Sequence, residues 1–159
     1  MKIVIKVFNG FHNLVVTVAK ILLLLMTIIT CVQVFCRYVL KFSIGWSEEV
    51  PLIFMVWFGF ISMAIGVKNK LHISIQVFYN LFPPKFQKIV DKFVDLVILL
   101  FGFIMIYYGG KLSSIMMTST YPATKMPTGY LYMVIPISGI LITFDSIMSL
   151  IGLNQLENK

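Results

Sequence analysis

Four long apolar runs fill most of this chain, and they constrain its fold more than any other feature. The runs contain no Asp, Glu, Lys or Arg and cover 21–36, 50–67, 96–110 and 126–144. A bilayer core about 30 Å thick needs roughly 20 mostly apolar residues per crossing helix. Charged side chains flanking the shorter runs can extend to the headgroups. The sequence therefore predicts an all-α integral membrane protein with four transmembrane helices.

The predicted spans take their bounds from these runs and their flanking residues. We place them at about 14–40, 48–67, 90–111 and 128–150. They leave little of the chain outside the bilayer. We therefore expect a single tetraspan membrane domain that covers residues 1–159.

A shorter amphipathic segment lies between the second and third predicted spans. Leu71, Ile75, Phe78 and Phe82 have the spacing of one helix face. The segment 71–82 is too short to cross a bilayer. We expect it to form an interfacial helix that lies on the membrane surface.

The charge distribution predicts topology and not nucleic-acid binding. The chain is 59% hydrophobic and 12% charged, whereas soluble domains carry about 25% charged residues. Its net charge is +7, but the lysines lie between the apolar runs and not in one patch. Nine Lys residues fall on the side of the two termini, against four Lys or Arg on the other side. By the positive-inside rule, both termini should be cytoplasmic.

Charged residues at the span ends are candidates for ion pairs. Arg37 precedes the first turn between spans, and Glu48 and Glu49 follow it. Either glutamate could pair with Arg37 and tie the first two spans together, because unpaired charge at membrane depth is costly. The alternative is that Arg37 snorkels while the glutamates complement a helix dipole. Lys20 and Asp145 should lie at similar depth and could pair, or each could have an ordinary interfacial position.

The two tryptophans occupy different predicted depths. Trp46 lies at a membrane–water interface, where aromatic belts form. Trp57 lies in the middle of the second span, where its indole N–H needs a partner or a packed site. We therefore expect Trp57 to contact protein.

Small residues recur on one side of two predicted spans. On the second span these small residues are Gly59, Ser62 and Gly66. On the third span they are Gly102 and Gly109. Small residues let membrane helices approach closely. They could serve packing within this chain or docking on another chain, and the pattern leaves both interpretations open.

No motif for catalysis or metal binding is recognisable. His72 follows the second span, without a second His, Cys or acid at ligand spacing, and His12 is far away in the sequence. A structural position near the headgroups is the expected role of His72. Charged residues are also missing from the middle of the last three predicted spans. We expect neither an enzyme nor a cofactor, metal or substrate site in this chain.

Three stretches in order resemble the DctQ family, the small (SiaQ-like) membrane subunits of TRAP transporters. The first is RYVL followed by SIGWSEE within 37–49, and the others lie within 66–75 and 120–136. The resemblance covers nearly the whole chain. One departure is Gln76, where members of the family often have Asp.

The resemblance implies a scaffold role in the bacterial inner membrane. TRAP systems combine a soluble extracytoplasmic substrate-binding protein with two membrane subunits. The large multi-span subunit carries the substrate and sodium sites and moves as an elevator, and the small subunit packs on its scaffold. Substrates are organic anions, including sialic acid and C4-dicarboxylates. The expected partners are thus the large subunit, the binding protein and membrane lipid.

Two other functions remain open from the residues. One is a small membrane anchor or redox subunit of an enzyme complex, although haem and quinone anchors usually carry His within spans, and both His residues here lie at span edges. The other is a self-assembling pore, which would need a polar stripe along a helix. We expect none.

Overall fold

The computed structural model describes residues 2–68 and 84–150, and these are almost entirely helical. The predicted interfacial helix at 71–82, with His72 and Gln76, lies outside the described residues. Within the described ranges, the sole strand-like pairing is an isolated bridge between Thr120 and Pro127. The helices are α1 (Lys2–Tyr38), α2 (Trp46–Lys68), α3 (Pro84–Met116), α4 (Gly129–Tyr132) and α5 (Val134–Leu150).

Three stretches of the described helices are long and apolar enough to cross a membrane. They are His12–Tyr38, Trp46–Lys68 and Gly129–Leu150. They coincide within a few residues with the first, second and fourth predicted spans. The third predicted span, at 90–111, falls inside α3, and its crossing of the membrane stays a prediction.

Helix α1 ends in a cap that uses a lysine where glycine is usual. Lys41 has a φ of 56°, and the amide of Phe42 donates to the carbonyl of Cys36 at 3.1 Å. The bond closes seven residues around the left-handed Lys41, one residue more than the six-to-one bond of a Schellman motif. The cap reverses the chain and starts the turn 39–45, which leads into α2.

The described residues fall into two compact units that divide the long helices between them. Of these residues, unit 1 comprises 2–62 and 111–134, and unit 2 comprises 63–68, 84–110 and 135–150. The buried apolar residues of unit 1 are Ala19, Ile61, Leu131 and Val134, and those of unit 2 are Ala64, Met105, Ile142 and Met148.

The helices differ greatly in how much of their surface this chain covers. In the most apolar stretch of the first span, 6% of the residues are buried, whereas 44% are buried in the corresponding stretch of the last span. Most of α1 must therefore contact lipid or another chain.

Candidate functional site

One end of unit 1 carries both described connecting segments, and we call it the loop end. It consists of the turn 39–45, the first turn of α2 and the hairpin 117–128. A Cβ atom added at Gly45 would lie 3.2 Å from the Cβ of Ala123, so the turn and the hairpin touch. The acidic pair Glu48 and Glu49 lies at this end.

Glu49 holds the hairpin through both of its carboxylate oxygens. Oε1 accepts the backbone N–H of Ala123 at 2.8 Å, and Oε2 accepts that of Thr124 at 2.8 Å. Hydrogen bonds to an ionised carboxylate are stronger than neutral ones. Glu49 thus fixes two consecutive amides of a segment more than 70 residues away in the chain.

The hairpin also carries its own backbone hydrogen bonds. The amide of Tyr121 donates to Met126 at 2.9 Å, that of Lys125 to Tyr121 at 3.1 Å and that of Thr128 to Ser119 at 2.8 Å. Lys125 has a φ of 58°, in the left-handed region. These bonds and the Glu49 contacts give the hairpin one defined shape.

The half-buried Tyr121 packs its phenol within this arrangement. Burial raises the pKa of Tyr121 above its usual value, and the nearby Tyr132 and Glu49 add to the effect. The hydroxyl therefore stays neutral at physiological pH.

The other glutamate of the pair faces Arg37. Arg37 Nη1 lies 3.3 Å from Glu48 Oε1, and both side chains are 60% exposed. Adjacent residues on a helix point about 100° apart, which explains why Glu48 and Glu49 meet different partners. Of the two glutamates that could pair with Arg37, the structure shows Glu48 beside it.

Ser47 at the start of α2 does not act as a helix cap. A serine at position 47 is of the type that accepts N–H bonds as a helix cap. Here the Ser47 hydroxyl instead donates to the carbonyl of Ile44 at 2.6 Å, and Ser47 is 2% exposed. This bond closes the turn 39–45 from the α2 side.

Further along α2, Trp57 contacts protein through its indole. Its Nε1–H donates to the carbonyl of Tyr130 at 3.0 Å. Ser113 ties the end of α3 to the same region, because its hydroxyl donates to the carbonyl of Gly129 at 3.1 Å. Trp46, by contrast, is 48% exposed at the loop end. Its place in an aromatic belt stays a prediction.

The small residues divide between packed and open positions. A Cβ at Gly109 would lie 2.6 Å from Ile135, and one at Gly102 would meet Thr143, so both serve packing inside unit 2. A Cβ at Gly59 or Gly66 would meet nothing within 4 Å, and Ser62 is half-buried. Docking of another chain on Gly59, Ser62 and Gly66 stays a prediction.

Helix α5 presents a polar face to the interior of unit 2, which the sequence analysis missed. Its exposed large residues are apolar, whereas its buried polar residues are Ser138, Thr143, Asp145 and Ser146. The buried side of α5 is mixed, because Ile142 and Met148 are buried on the same helix, and the expectation that no helix carries a polar stripe stays a prediction. The sequence does place Ser138, Asp145 and Ser149 on one side of a helix, and this spacing could have predicted that this side faces protein.

Asp145 has a different charged neighbour from the one the sequence suggested. Within unit 2, Lys68 is the cation whose charge acts on Asp145. One turn beyond Asp145, the Ser149 hydroxyl donates to Asp95 Oδ2 at 2.7 Å. Lys20 belongs to unit 1, and its pairing with Asp145 stays a prediction.

Among residues 2–68 and 84–150, no group of three or more His, Cys, Asp or Glu side chains could hold a metal ion. Cys31 and Cys36 are free thiols. The features with defined geometry in unit 1 are thus the Arg37–Glu48 pair, the Glu49-held hairpin and the Trp57 contact. This arrangement shapes the surface of unit 1 at the loop end.

Comparison with known proteins identifies the class of the chain. The family model described as the DctQ component of tripartite ATP-independent periplasmic transporters matches residues 26–155. A protein of Haemophilus influenzae named as a TRAP transporter small permease protein is 26% identical over 131 residues, which cover 82% of this chain and 81% of the relative.

Two further relatives are named for particular substrates. The sialic acid TRAP transporter permease protein SiaT of Haemophilus influenzae is 30% identical over 77 residues, covering 48% of this chain and 12% of SiaT. The C4-dicarboxylate TRAP transporter small permease protein DctQ of Vibrio cholerae is 30% identical over 64 residues, covering 40% of this chain and 28% of that protein. The chain is therefore a transport component and not an enzyme: it belongs to the DctQ family of TRAP transporter small permease proteins.

Proposed function

We propose that this chain is the small scaffold subunit of a tripartite, sodium-coupled, binding-protein-dependent secondary transporter for organic anions. Its larger membrane partner would bind the substrate and sodium and move as an elevator. The observation that carries this proposal is the match to SiaT, in which the similar segment is 12% of a much longer permease chain. A segment that is fused to a large permease in one system is expected to bind a separate large permease in another.

The substrate class follows from the names of the relatives. Sialic acid and C4-dicarboxylates are both organic anions, and they name two relatives of similar identity. That similarity favours neither anion over the other. The family membership does not support the alternative of a membrane anchor for a redox enzyme.

A topology with four spans is supported by contacts inside unit 1. Helix α2 has 23 residues, which extend about 34 Å and cross the bilayer. Glu49 at its start contacts Ala123 and Thr124. We therefore expect the chain to return across the membrane between the end of α2 and the hairpin, and α3 is the long described helix in that interval. The Lys and Arg distribution then supports cytoplasmic termini and an extracytoplasmic loop end.

A scaffold role is supported by the character of the described side chains. Three charged residues near the loop end, Arg37, Glu48 and Glu49, are engaged in holding the chain. The hairpin, fixed in shape by Glu49, suits a surface on which a soluble binding protein docks. The substrate and sodium sites are proposed to lie on the large partner.

Reconstitution of uptake in liposomes tests this function. We expect sodium-driven uptake of the organic anion to require the large permease, the binding protein and this chain together. Omission of this chain should abolish uptake while the large permease remains inserted, as measured by protease protection. Full uptake without this chain, or binding of the anion by this chain alone, would contradict the proposal.

A further inference from the structure

A shallow, open groove lies on the surface of α1, between two neighbouring rows of side chains at the end of the helix that leads into the turn 39–45. Its volume is about 440 Å³. The Thr30 hydroxyl donates to the carbonyl of Met26 at 2.8 Å, so the polar group of this residue is satisfied within its own helix. The groove otherwise has an apolar lining, apart from a weakly polar thiol and the phenol at its end. The lining residues are Thr30, Cys31, Val34, Phe35, Tyr38 and Val39.

The length of the groove matches one leaflet of a bilayer. Eight residues separate Thr30 from Tyr38, which is about 12 Å along a helix. Half of a hydrocarbon core is about 15 Å. The groove ends where α1 ends, at Tyr38. It therefore runs from near the middle of the membrane to the level of the headgroups.

Lys41 provides a cation just beyond that end. The helix cap fixes its backbone at a φ of 56°, and its side chain is exposed. The nearby Arg37 is engaged by Glu48, whereas Lys41 makes no ion pair with any residue of the described ranges. A lysine at headgroup depth attracts lipid phosphate, with a contribution of about 1 kcal/mol.

We propose that this groove is a phospholipid-binding site, in which one acyl chain lies along the groove and the phosphate contacts Lys41. The inference requires that α1 crosses the membrane, and it does not rest on the proposed transport function.

A helix of a partner protein fits the groove less well than a lipid does. Helix contacts in membranes are enriched in small residues and use polar side chains as links. The groove is lined mainly by Val34, Phe35, Tyr38 and Val39, and the Thr30 hydroxyl is already engaged. An acyl chain needs neither small residues nor hydrogen bonds.

Native mass spectrometry of the full chain with added dioleoyl-phosphatidylglycerol tests the groove. Val34→Trp fills the groove, and Val32→Trp is the matched control, since Val32 is also 50% exposed on α1 but does not line the groove. We expect Val34→Trp to weaken lipid binding at least about tenfold, the effect of displacing roughly two methylene groups. Val32→Trp should change it less than about twofold. Equal effects of the two variants, or no lipid binding by the wild type, would overturn the site.

The headgroup contact is tested with a second pair of variants. Lys41→Gln should weaken phosphatidylglycerol binding roughly fivefold. Lys125→Gln, at the other left-handed lysine of unit 1, should leave it unchanged. Dioleoylglycerol, which has the same chains without phosphate, should bind the wild type and Lys41→Gln equally. If Lys41→Gln weakened both ligands alike, or neither, Lys41 would not be the phosphate contact.

Photo-crosslinking in membranes distinguishes a lipid from a protein occupant. Cys31 lines the groove and is exposed, so benzophenone maleimide can be attached there in a Cys36→Ser background. We expect adducts of phospholipid acyl chains. Adducts confined to peptides of a membrane partner would show that a protein covers the groove and would overturn the proposal.

Discussion

At the scale of single residues, Glu48 and Glu49 are neighbours in the chain and hold different parts of unit 1. Glu48 meets Arg37 in an exposed pair, and exposed pairs contribute about 0–1 kcal/mol. Glu49 accepts hydrogen bonds from two backbone N–H groups of the hairpin. Removal of its carboxylate would leave both N–H groups without this acceptor. The two residues should therefore respond differently to the same substitution.

We expect Glu49→Gln to loosen the hairpin, because the amide keeps one acceptor oxygen and places an NH₂ group against a backbone N–H. Hydrogen exchange in peptides from 117–128 should accelerate, most of all at Ala123 and Thr124. Glu48→Gln is the matched control and should leave exchange in the hairpin unchanged. Equal acceleration in both variants would mean that Glu49 does not hold the hairpin.

The sequence predicted part of this arrangement, and its limits have a physical reason. It placed Arg37, Glu48 and Glu49 around one turn, and it predicted that a glutamate could pair with Arg37. It could not tell which glutamate pairs with Arg37, because the partner of Glu49 is a backbone segment more than 70 residues away. Backbone N–H groups occur at every residue except proline and leave no pattern in a sequence.

At the scale of elements, α2 is joined to α4 by the indole of Trp57. Its hydrogen bond to Tyr130 is 3.0 Å long. We expect Trp57→Phe to lower the free energy of unfolding by about 0.5–1.5 kcal/mol, the usual contribution of one such bond. SDS titration in mixed micelles, followed by circular dichroism, measures this change. Trp46→Phe should have almost no effect, because that ring is 48% exposed, and a comparable loss there would contradict the assignment.

Close packing of α3 against α5 in unit 2 depends on glycine. A Cβ at Gly139 would lie 2.9 Å from the Cβ of Met105 and 3.0 Å from the carbonyl oxygen of Gly102. Gly139→Ala should therefore force the helices apart and cost about 1–3 kcal/mol. Gly59→Ala, with nothing within 4 Å, should be neutral or stabilising by up to about 1 kcal/mol. The same SDS titration compares the two variants, and a neutral Gly139→Ala would show that the contact is not tight.

The elements themselves were largely predictable, and the orientation of α5 was not. Apolar runs define membrane helices because every backbone polar group must be satisfied inside the segment. The polar residues of α5 are small, and a short serine or threonine side chain barely lowers the hydropathy of a span. Their burial depends on which side of the helix faces protein, and the hydropathy of a span does not carry that information.

At the scale of the whole molecule, the number of crossings decides where the termini lie. Four spans put both termini on one side of the membrane, and three spans put them on opposite sides. The contact of Glu49 with Ala123 and Thr124 requires that the turn 39–45 and the hairpin 117–128 share a side. The excess of lysine on the predicted side of the termini, which includes five lysines within 68–92, favours a cytoplasmic position for both.

Labelling of single cysteines in intact cells measures this arrangement. In a background with Cys31→Ser and Cys36→Ser, we expect an impermeant maleimide to label Phe42→Cys and Thr124→Cys without permeabilisation. Lys2→Cys and Lys159→Cys should react only after the cells are opened, and the same samples after permeabilisation control for reactivity. Labelling of Lys159→Cys from outside together with protection of Lys2→Cys would indicate an odd number of crossings. Labelling of Phe42→Cys without Thr124→Cys would place the turn and the hairpin on opposite sides, which the contacts of Glu49 do not allow.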